Sequence, residues 1–311
     1  MSIDYKALEK RMGSNHLRER LLKQSHHEAN ETPQRKYIID IQKLEKPVAL
    51  AFKCLGLYKR GLRGARNLEI VHNRVTLPKL PKDFDGIKIM QLTDLHLDID
   101  TEIRKAIESA LQNLSYDLCV ITGDFRSKTL DAYHLAIKET IALRQHLQGP
   151  IYATLGNHDF IEMVPLLEKE GIQFLINEGL HIMRGSSALY LAGIDDPNYY
   201  RTHDIPKASN ALGPGECGIL LSHSPETFAE AAAAGFSLLL AGHTHGGQIC
   251  LPGGIPIVNN SGGCSREKIA GSWHYQGLQG YTSKGTGCCG IPIRLNCPPE
   301  ITIHTLHRTP S

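Results

Sequence analysis

The chain has 311 residues and a formal net charge of +2, with 41% hydrophobic and 21% charged residues. That balance excludes disordered, collagen-like and low-complexity scaffolds and leaves ample material for a buried core. The charge is unevenly spread: residues 1–70 carry 15 Lys and Arg against 8 Asp and Glu, whereas the rest carry 19 against 24, so a basic arm on an acidic body points to an anionic membrane surface or nucleic acid as partner.

Residues 4–27 read as a charged helix with a narrow apolar stripe of Leu8, Met12, Leu17, Leu21 and Leu22. A break at Asn30–Pro33 precedes a second helical pattern through Leu44. Pro47 then opens an amphipathic run, Val48 to Tyr58, that leads into Lys59, Arg60, Arg63 and Arg66. The run is shorter than the ~20 residues a spanning helix needs. It fits an interfacial anchor, or a helix packed on the body with its basic end solvated. The N-terminal stretch is too charged for a signal peptide, and the eight cysteines show no CxxC spacing, so a reduced, cytoplasmic compartment is expected. Cys264, Cys288, Cys289 and Cys297 form a group, but adjacent cysteines are not the usual spacing of structural zinc. Inert buried thiols are the better reading.

From Asn67 onward, strands alternate with helices. Strands are expected at Leu68–Leu77, Ile87–Leu92, Leu118–Ile121, Ile151–Leu155, Ala188–Ile194, Gly218–Ser222 and Phe236–Ala241, with helices at Glu102–Leu114, Leu130–Leu147, Met163–Glu170 and Glu226–Ala234. This alternation predicts an α/β layered domain over residues 67–311, preceded by a basic helical extension, residues 1–66. The tail from Trp273 to His307 reads as antiparallel strands.

Five of the short apolar strands run into polar clusters of one kind: Thr93-Asp94-Leu95-His96, Gly123-Asp124, Gly156-Asn157-His158-Asp159, Ser222-His223 and Gly242-His243-Thr244-His245-Gly246-Gly247. In an open α/β sheet the carboxyl ends of the strands form one rim, where ligands bind. Asp, His and Asn gathered there offer the mixed imidazole and oxygen donors that Mn²⁺, Fe²⁺ and Zn²⁺ accept. One Asp-x-His arises by chance, but five clusters each following a strand do not.

In these clusters and their order the sequence resembles the calcineurin-like metallophosphoesterase superfamily, whose signature runs D-x-H, G-D, G-N-H-[DE], H and G-H-x-H, over about residues 86–306. The resemblance implies a layered β-sandwich flanked by helices and two divalent metal ions, Mn²⁺ favoured and Fe²⁺ or Zn²⁺ compatible. It implies that Asp94, His96 and His245 hold the first ion, that Asn157, His223 and His243 hold the second, and that Asp124 bridges them. His158 matches the histidine that protonates the leaving oxygen or stabilises the transition state. The stretch Gly242–Gln248 with Gly193–Asp196 upstream looks like the bacterial YaeI- and YkuE-like subgroup. The ending Gly285-Thr286-Gly287, Pro292-Ile293-Arg294 and Pro299-Glu300-Ile301 is similar to the LpxG type, a UDP-2,3-diacylglucosamine hydrolase of lipid A synthesis.

Phosphoprotein phosphatases carry a second acid after the Gly-Asp motif that pairs with their catalytic histidine. Here Gly123-Asp124 is followed by Phe125-Arg126-Ser127-Lys128, which weighs against that activity and leaves the group orienting His158 unidentified. Arg126 is either a contact to substrate phosphate or an exposed loop arginine. Asp195 and Asp196 either support a metal-bound histidine or cap a turn. Gly246 and Gly247 either offer backbone N–H groups to phosphate or form the turn after His245, and Trp273, Tyr275 and Tyr281 read as core packing. The expected reaction is two-metal hydrolysis of a phosphate-containing substrate. A nucleotide-linked glycolipid, UDP-2,3-diacylglucosamine, drawn from the cytoplasmic face of the inner membrane suits the basic arm. Alternatives are a broad phosphodiesterase on soluble esters or cyclic nucleotides, and a non-catalytic scaffold, against which the complete ligand set argues. Nucleic acid is the less attractive partner, since no basic groove interleaved with aromatics is apparent.

Overall fold

The computed structural model describes residues 3–28, 41–127, 132–258 and 264–309. The expected break at Asn30–Pro33 lies outside them. The single helix expected over residues 4–27 is two: α1 (Tyr5–Met12), capped by the Asp4 carboxylate, and α2 (Ser14–Glu28), separated by Gly13 at φ 91°. Leu8, Met12 and Leu17 are buried as the stripe predicts, whereas Leu22 is exposed. Pro47 does not separate two helices either: α3 (Ile41–Cys54) runs through it, and α4 (Tyr58–Arg66) follows. Among the described residues no helix is long and apolar enough to cross a membrane.

Two six-stranded sheets form the body. Along the chain come β1 (Glu69–Leu77), β2 (Lys88–Leu92), α5 (Thr101–Leu111), β3 (Leu118–Thr122), α6 (His134–Arg144), β4 (Ile151–Thr154), α7 (Val164–Glu168) and β5 (Ile172–Phe174). There follow β6 (Glu178–Arg184), β7 (Ser187–Gly193), α8 (Ile205–Ala208), β8 (Gly218–Leu221), α9 (Phe228–Ala233) and β9 (Leu238–Ala241). A short ribbon, β10 (Cys250–Leu251) with β11 (Ile255–Pro256), precedes β12 (Gly271–Tyr275), β13 (Leu278–Thr282) and β14 (Glu300–Arg308). The first sheet has the order β1-β14-β2-β3-β4-β5 and the second β12-β13-β9-β8-β7-β6.

Alternation along the strands explains the layers. In β3, Leu118 and Val120 face the second sheet, while Cys119 and Ile121 face the helices on the outer side. In β9, Leu238 and Leu240 meet the first sheet, while Leu239 and Ala241 pack under α8 and α9. Both faces are covered, so these strands read as continuous apolar runs. On α5, Asp100 caps the first turn and Ile103, Ile107 and Leu111 recur every four residues on the buried face.

The tail departs from the antiparallel expectation. The hairpin β12–β13 is antiparallel, but β13 joins β9 in parallel, and β14 inserts between β1, in parallel, and β2, antiparallel. The tail thus crosses from one sheet to the other, which local periodicity does not encode. The half-exposed strand β6 was missed because its polar face breaks up the apolar run of Leu180 and Ile182.

Candidate metal centre

The carboxyl ends of β2, β3 and β4 lie side by side in parallel register, and those of β8 and β9 do the same in the facing sheet. The pairing continues past the strands: Asp94 N donates to Gly123 O at 3.0 Å, His96 N to Asp124 O at 3.1 Å and Gly242 N to His223 O at 2.9 Å. Beneath these loops Gln91 ties the sheets together, donating to Ala241 O at 2.9 Å and to Thr122 Oγ1 at 3.1 Å. Asp94, His96, Asp124, His243 and His245 all adopt positive φ, between 42° and 70°. Each such residue costs on the order of 1–3 kcal/mol and persists only where its surroundings fix it.

The eight residues expected at the site are brought together. Asp94, His96 and Asp124 place ligand atoms within 4.8 Å of one another, as do Asp124, His223 and His243, so Asp124 belongs to both groups. His245 Nε2 lies 3.3 Å from Asp94 Oδ1 and 3.2 Å from His96 Nε2. His223 Nε2 is 3.1 Å from Asp124 Oδ2, 3.0 Å from Asn157 Oδ1 and 3.3 Å from His243 Nδ1. His158 stands at the edge, its Nε2 4.0 Å from Asp124 Oδ2 and its ring edge-on to His96.

The outward nitrogens set the tautomers. His96 Nδ1 is 2.8 Å from Arg126 O and His223 Nδ1 is 2.8 Å from Thr122 O. A carbonyl only accepts, so each Nδ1 donates, and whenever the ring is neutral its Nε2 lone pair faces the centre. Imidazole lone pairs converging on buried carboxylates, with an amide oxygen beside them, make a donor set that a pair of divalent cations fits. The electrostatics agree. Burial alone would raise the Asp94 carboxyl, but His245, His223 and His96 hold it below the usual range. Asp124 is pushed up to about 7 by burial, with the Asp159 and Asp94 charges adding to it against His223. His96 is lowered to about 3 by burial and the neighbouring His245. His223 rises to about 10, because Asp124 and Asp94 overcome its burial. Asp124 and His223 thus form a carboxylate–imidazole pair that keeps a proton between them until a cation displaces it.

The surroundings resolve the open alternatives. Arg126 is buried rather than exposed: its Nε donates to the His158 carbonyl and its guanidinium lies 3.6 Å over the Phe160 ring. Asp196 caps a turn, accepting from the amides of Asn198, Tyr199 and Tyr200, and Asp195 accepts from Thr202 and pairs with His16. These bonds go to residues other than the site histidines, although the Asp196 charge helps to raise His223. Trp273 and Tyr281 are core residues.

Three residues without an assigned role matter. Asp159, fully buried, accepts from the amides of Asp124, Phe125 and Gly156 at 2.8–2.9 Å and so clamps the loops after β3 and β4 together. Its place inside the Gly156–Asp159 motif was the available signal. Arg294, fully buried, donates to the carbonyls of Gly287 and His245 and lies 3.2 Å from His245 Nδ1. Arg20 of α2 reaches the site from the N-terminal arm, which no local pattern announces.

Residues 87–247 match the family described as calcineurin-like phosphoesterase. The chain is 27% identical over 227 residues to the uncharacterized metallophosphoesterase YkoQ of Bacillus subtilis, an alignment covering 71% of this chain and 83% of that protein. It is 30% identical over 260 residues to YkuE of the same organism, covering 78% and 86% respectively. A zebrafish transmembrane protein with metallophosphoesterase domain is 29% identical over 259 residues, covering 78% of this chain but only 58% of that longer protein. The matched span contains the five loops whose carboxylates and imidazoles meet above β2, β3, β4, β8 and β9. The chain belongs to the calcineurin-like phosphoesterases, and it is a metal-dependent phosphoester hydrolase.

Proposed function

We propose that this hydrolase cleaves the diphosphate of a nucleotide-linked glycolipid, UDP-2,3-diacylglucosamine, at a membrane surface, giving UMP and the lipid 1-phosphate. Residues 67–311 serve as the catalytic domain and residues 1–66 as a basic helical segment. The observation that carries the lipid assignment is a cleft of about 500 Å³ lined by Arg60, Arg63 and Arg66 of α4 together with Asn67 and Arg294–Asn296. Arginines three residues apart share one helix face and suit phosphate. Exposed apolar side chains occur on the neighbouring segments: Leu50 of α3, Leu55 between α3 and α4, and Leu251, Ile255, Ile257 and Val258 in and beside the β10–β11 ribbon. The ribbon adjoins α4 through Asn296, which accepts from Arg60 at 3.1 Å and donates to Cys250 O at 2.8 Å. Cationic and apolar side chains side by side match an anionic lipid interface.

Asp94, His96 and His245 would hold one ion, Asn157, His223 and His243 the other, and Asp124 both. The donor set suits Mn²⁺ and accepts Fe²⁺ or Zn²⁺. When bound, the ions would supply Lewis-acid polarisation of the phosphoryl group and a water of lowered pKa. Asp124 accepts the amide of His158 at 2.9 Å, which fixes this side chain against the bridging carboxylate. His158 then donates a proton or hydrogen bond from Nε2 to the departing oxygen, its backbone held from behind by Arg126.

The test gives purified, Mn²⁺-loaded protein the acylated UDP-sugar and a soluble chromogenic diester. Release of UMP from the first supports the assignment. Cleavage of the soluble ester alone overturns it in favour of a broad phosphodiesterase. In flotation, wild-type chain is expected with anionic but not zwitterionic vesicles, and an Arg60, Arg63 and Arg66 to Glu triple variant with neither. Equal recovery of both proteins overturns the membrane reading.

A further inference from the structure

Cys289 does not share the surroundings of the other cysteines assigned to inert packing. Its Sγ lies 4.0 Å from His158 Nε2, and with the ring nitrogens of His96 and His245 it forms a group whose ligand atoms are all within 4.8 Å of one another. Cys288, the preceding residue, is instead wholly buried in the apolar core.

The segment carrying Cys289 is tied to the site at both ends. Thr286 N donates to Thr93 O at 2.8 Å and Gly287 N to Asp94 O at 3.0 Å, which joins it to the Asp94 loop. Cys289 N donates to Gln248 Oε1 at 2.7 Å, and Gln248 Nε2 returns a bond to Cys289 O at 2.9 Å, which joins it to the His245 loop. The sulfur is therefore fixed by the same loops that fix two expected ligands.

We propose that Cys289 is a further ligand of the metal ion held by Asp94, His96, Asp124 and His245. This rests on the two-metal reading of the site. The S–H proton leaves to solvent as the sulfur–metal bond forms, with no change of oxidation state. A thiolate is a softer donor than the imidazoles and carboxylates around it, so it turns this position from Mn²⁺ toward Zn²⁺, Fe²⁺ or Co²⁺, while the other position keeps oxygen and nitrogen donors alone.

Cobalt makes the sulfur visible, because a thiolate bound to Co²⁺ gives an intense near-ultraviolet charge-transfer band that imidazole and carboxylate do not. Full-length protein loaded with Co²⁺ is expected to show the band. Cys288→Ala keeps it, and Cys289→Ser loses it while still binding two cobalt ions per chain. A second readout needs no variant: alkylation of Cys289, mapped by mass spectrometry, slows when Co²⁺ is added. Two bound cobalt ions without the band, or with a band unchanged in Cys289→Ser, overturn the proposal and leave the two-metal reading standing. Failure to bind cobalt at all overturns the two-metal reading, and the proposal with it.

Discussion

Arg20 of α2 donates a 2.7 Å hydrogen bond from Nη2 to the backbone carbonyl of Asp159, the residue after His158. Its guanidinium lies 3.3 Å over the Tyr200 ring and 3.5 Å from Asp195, with both charged side chains fully buried. Burial would raise the Asp195 carboxyl, but Arg20 and His16 hold it below its usual range. The arm is thereby bound to the loop that carries His158. Breaking a buried pair on one side costs about 3–5 kcal/mol, because the other charge is left uncompensated. Arg20→Met is therefore expected to lower stability by about 3 kcal/mol, and the double variant with Asp195→Asn to recover part of that loss in denaturant titrations. Full independence of the two effects would show that the pair is not coupled.

Asp159 does for two loops what Arg20 does for the arm. Its carboxylate satisfies amides on either side of Asp124 and at Gly156, and it is fully buried. Leaving each buried amide unsatisfied costs about 1–3 kcal/mol. Asp159→Ala is expected to destabilise the fold by about 3 kcal/mol or more. It is also expected to weaken metal retention, since Asp124 and Asn157 ride on the freed loops. Equilibrium dialysis against a graded chelator measures the second effect, and unchanged retention would separate the clamp from the metal site.

Protons and metal compete for the same atoms. The Asp124–His223 pair, with His223 raised to about 10 and Asp124 to about 7, holds a proton near neutrality that a cation must displace. Affinity for divalent ions is therefore expected to rise with pH from 6 through the neutral range. Calorimetry in buffers of different ionisation enthalpy should record net proton release on binding. Binding with no proton release would show that the loaded site does not draw on these two groups.

Much of the layered fold and the site was legible because both obey local rules. Apolar runs such as Leu118–Ile121 and Leu238–Ala241 mark strands buried on both faces, and the polar cluster after each strand falls on one rim. Asp94, His96, Asp124, Asn157, His223, His243 and His245 follow from that rule, and the family resemblance adds His158. What escaped was set by contacts far apart in the chain. Arg20 finds Asp159 across 139 positions, β14 slots between β1 and β2, and Cys289 meets His158 across 131. Pro47 misled because a helix tolerates proline within it where the lost hydrogen bond is accommodated.

His158 and Asp124 differ in what their removal should do. Asp124 contributes to both ligand groups, and its carboxylate also receives the His158 amide. Asp124→Asn keeps the shape but lowers the charge available to two cations, so turnover is expected to collapse together with metal content. His158 touches the centre only from its edge, 4.0 Å from Asp124. Its loss should leave metal content intact and lower kcat by about 10²–10⁴, the range for a positioned proton donor. Leaving-group chemistry separates this from mere distortion of the loop. With an ester whose leaving group needs no proton, His158→Ala should recover most of its rate, whereas Asp124→Asn should not. Equal defects on good and poor leaving groups would remove His158 from proton transfer and return it to a structural part.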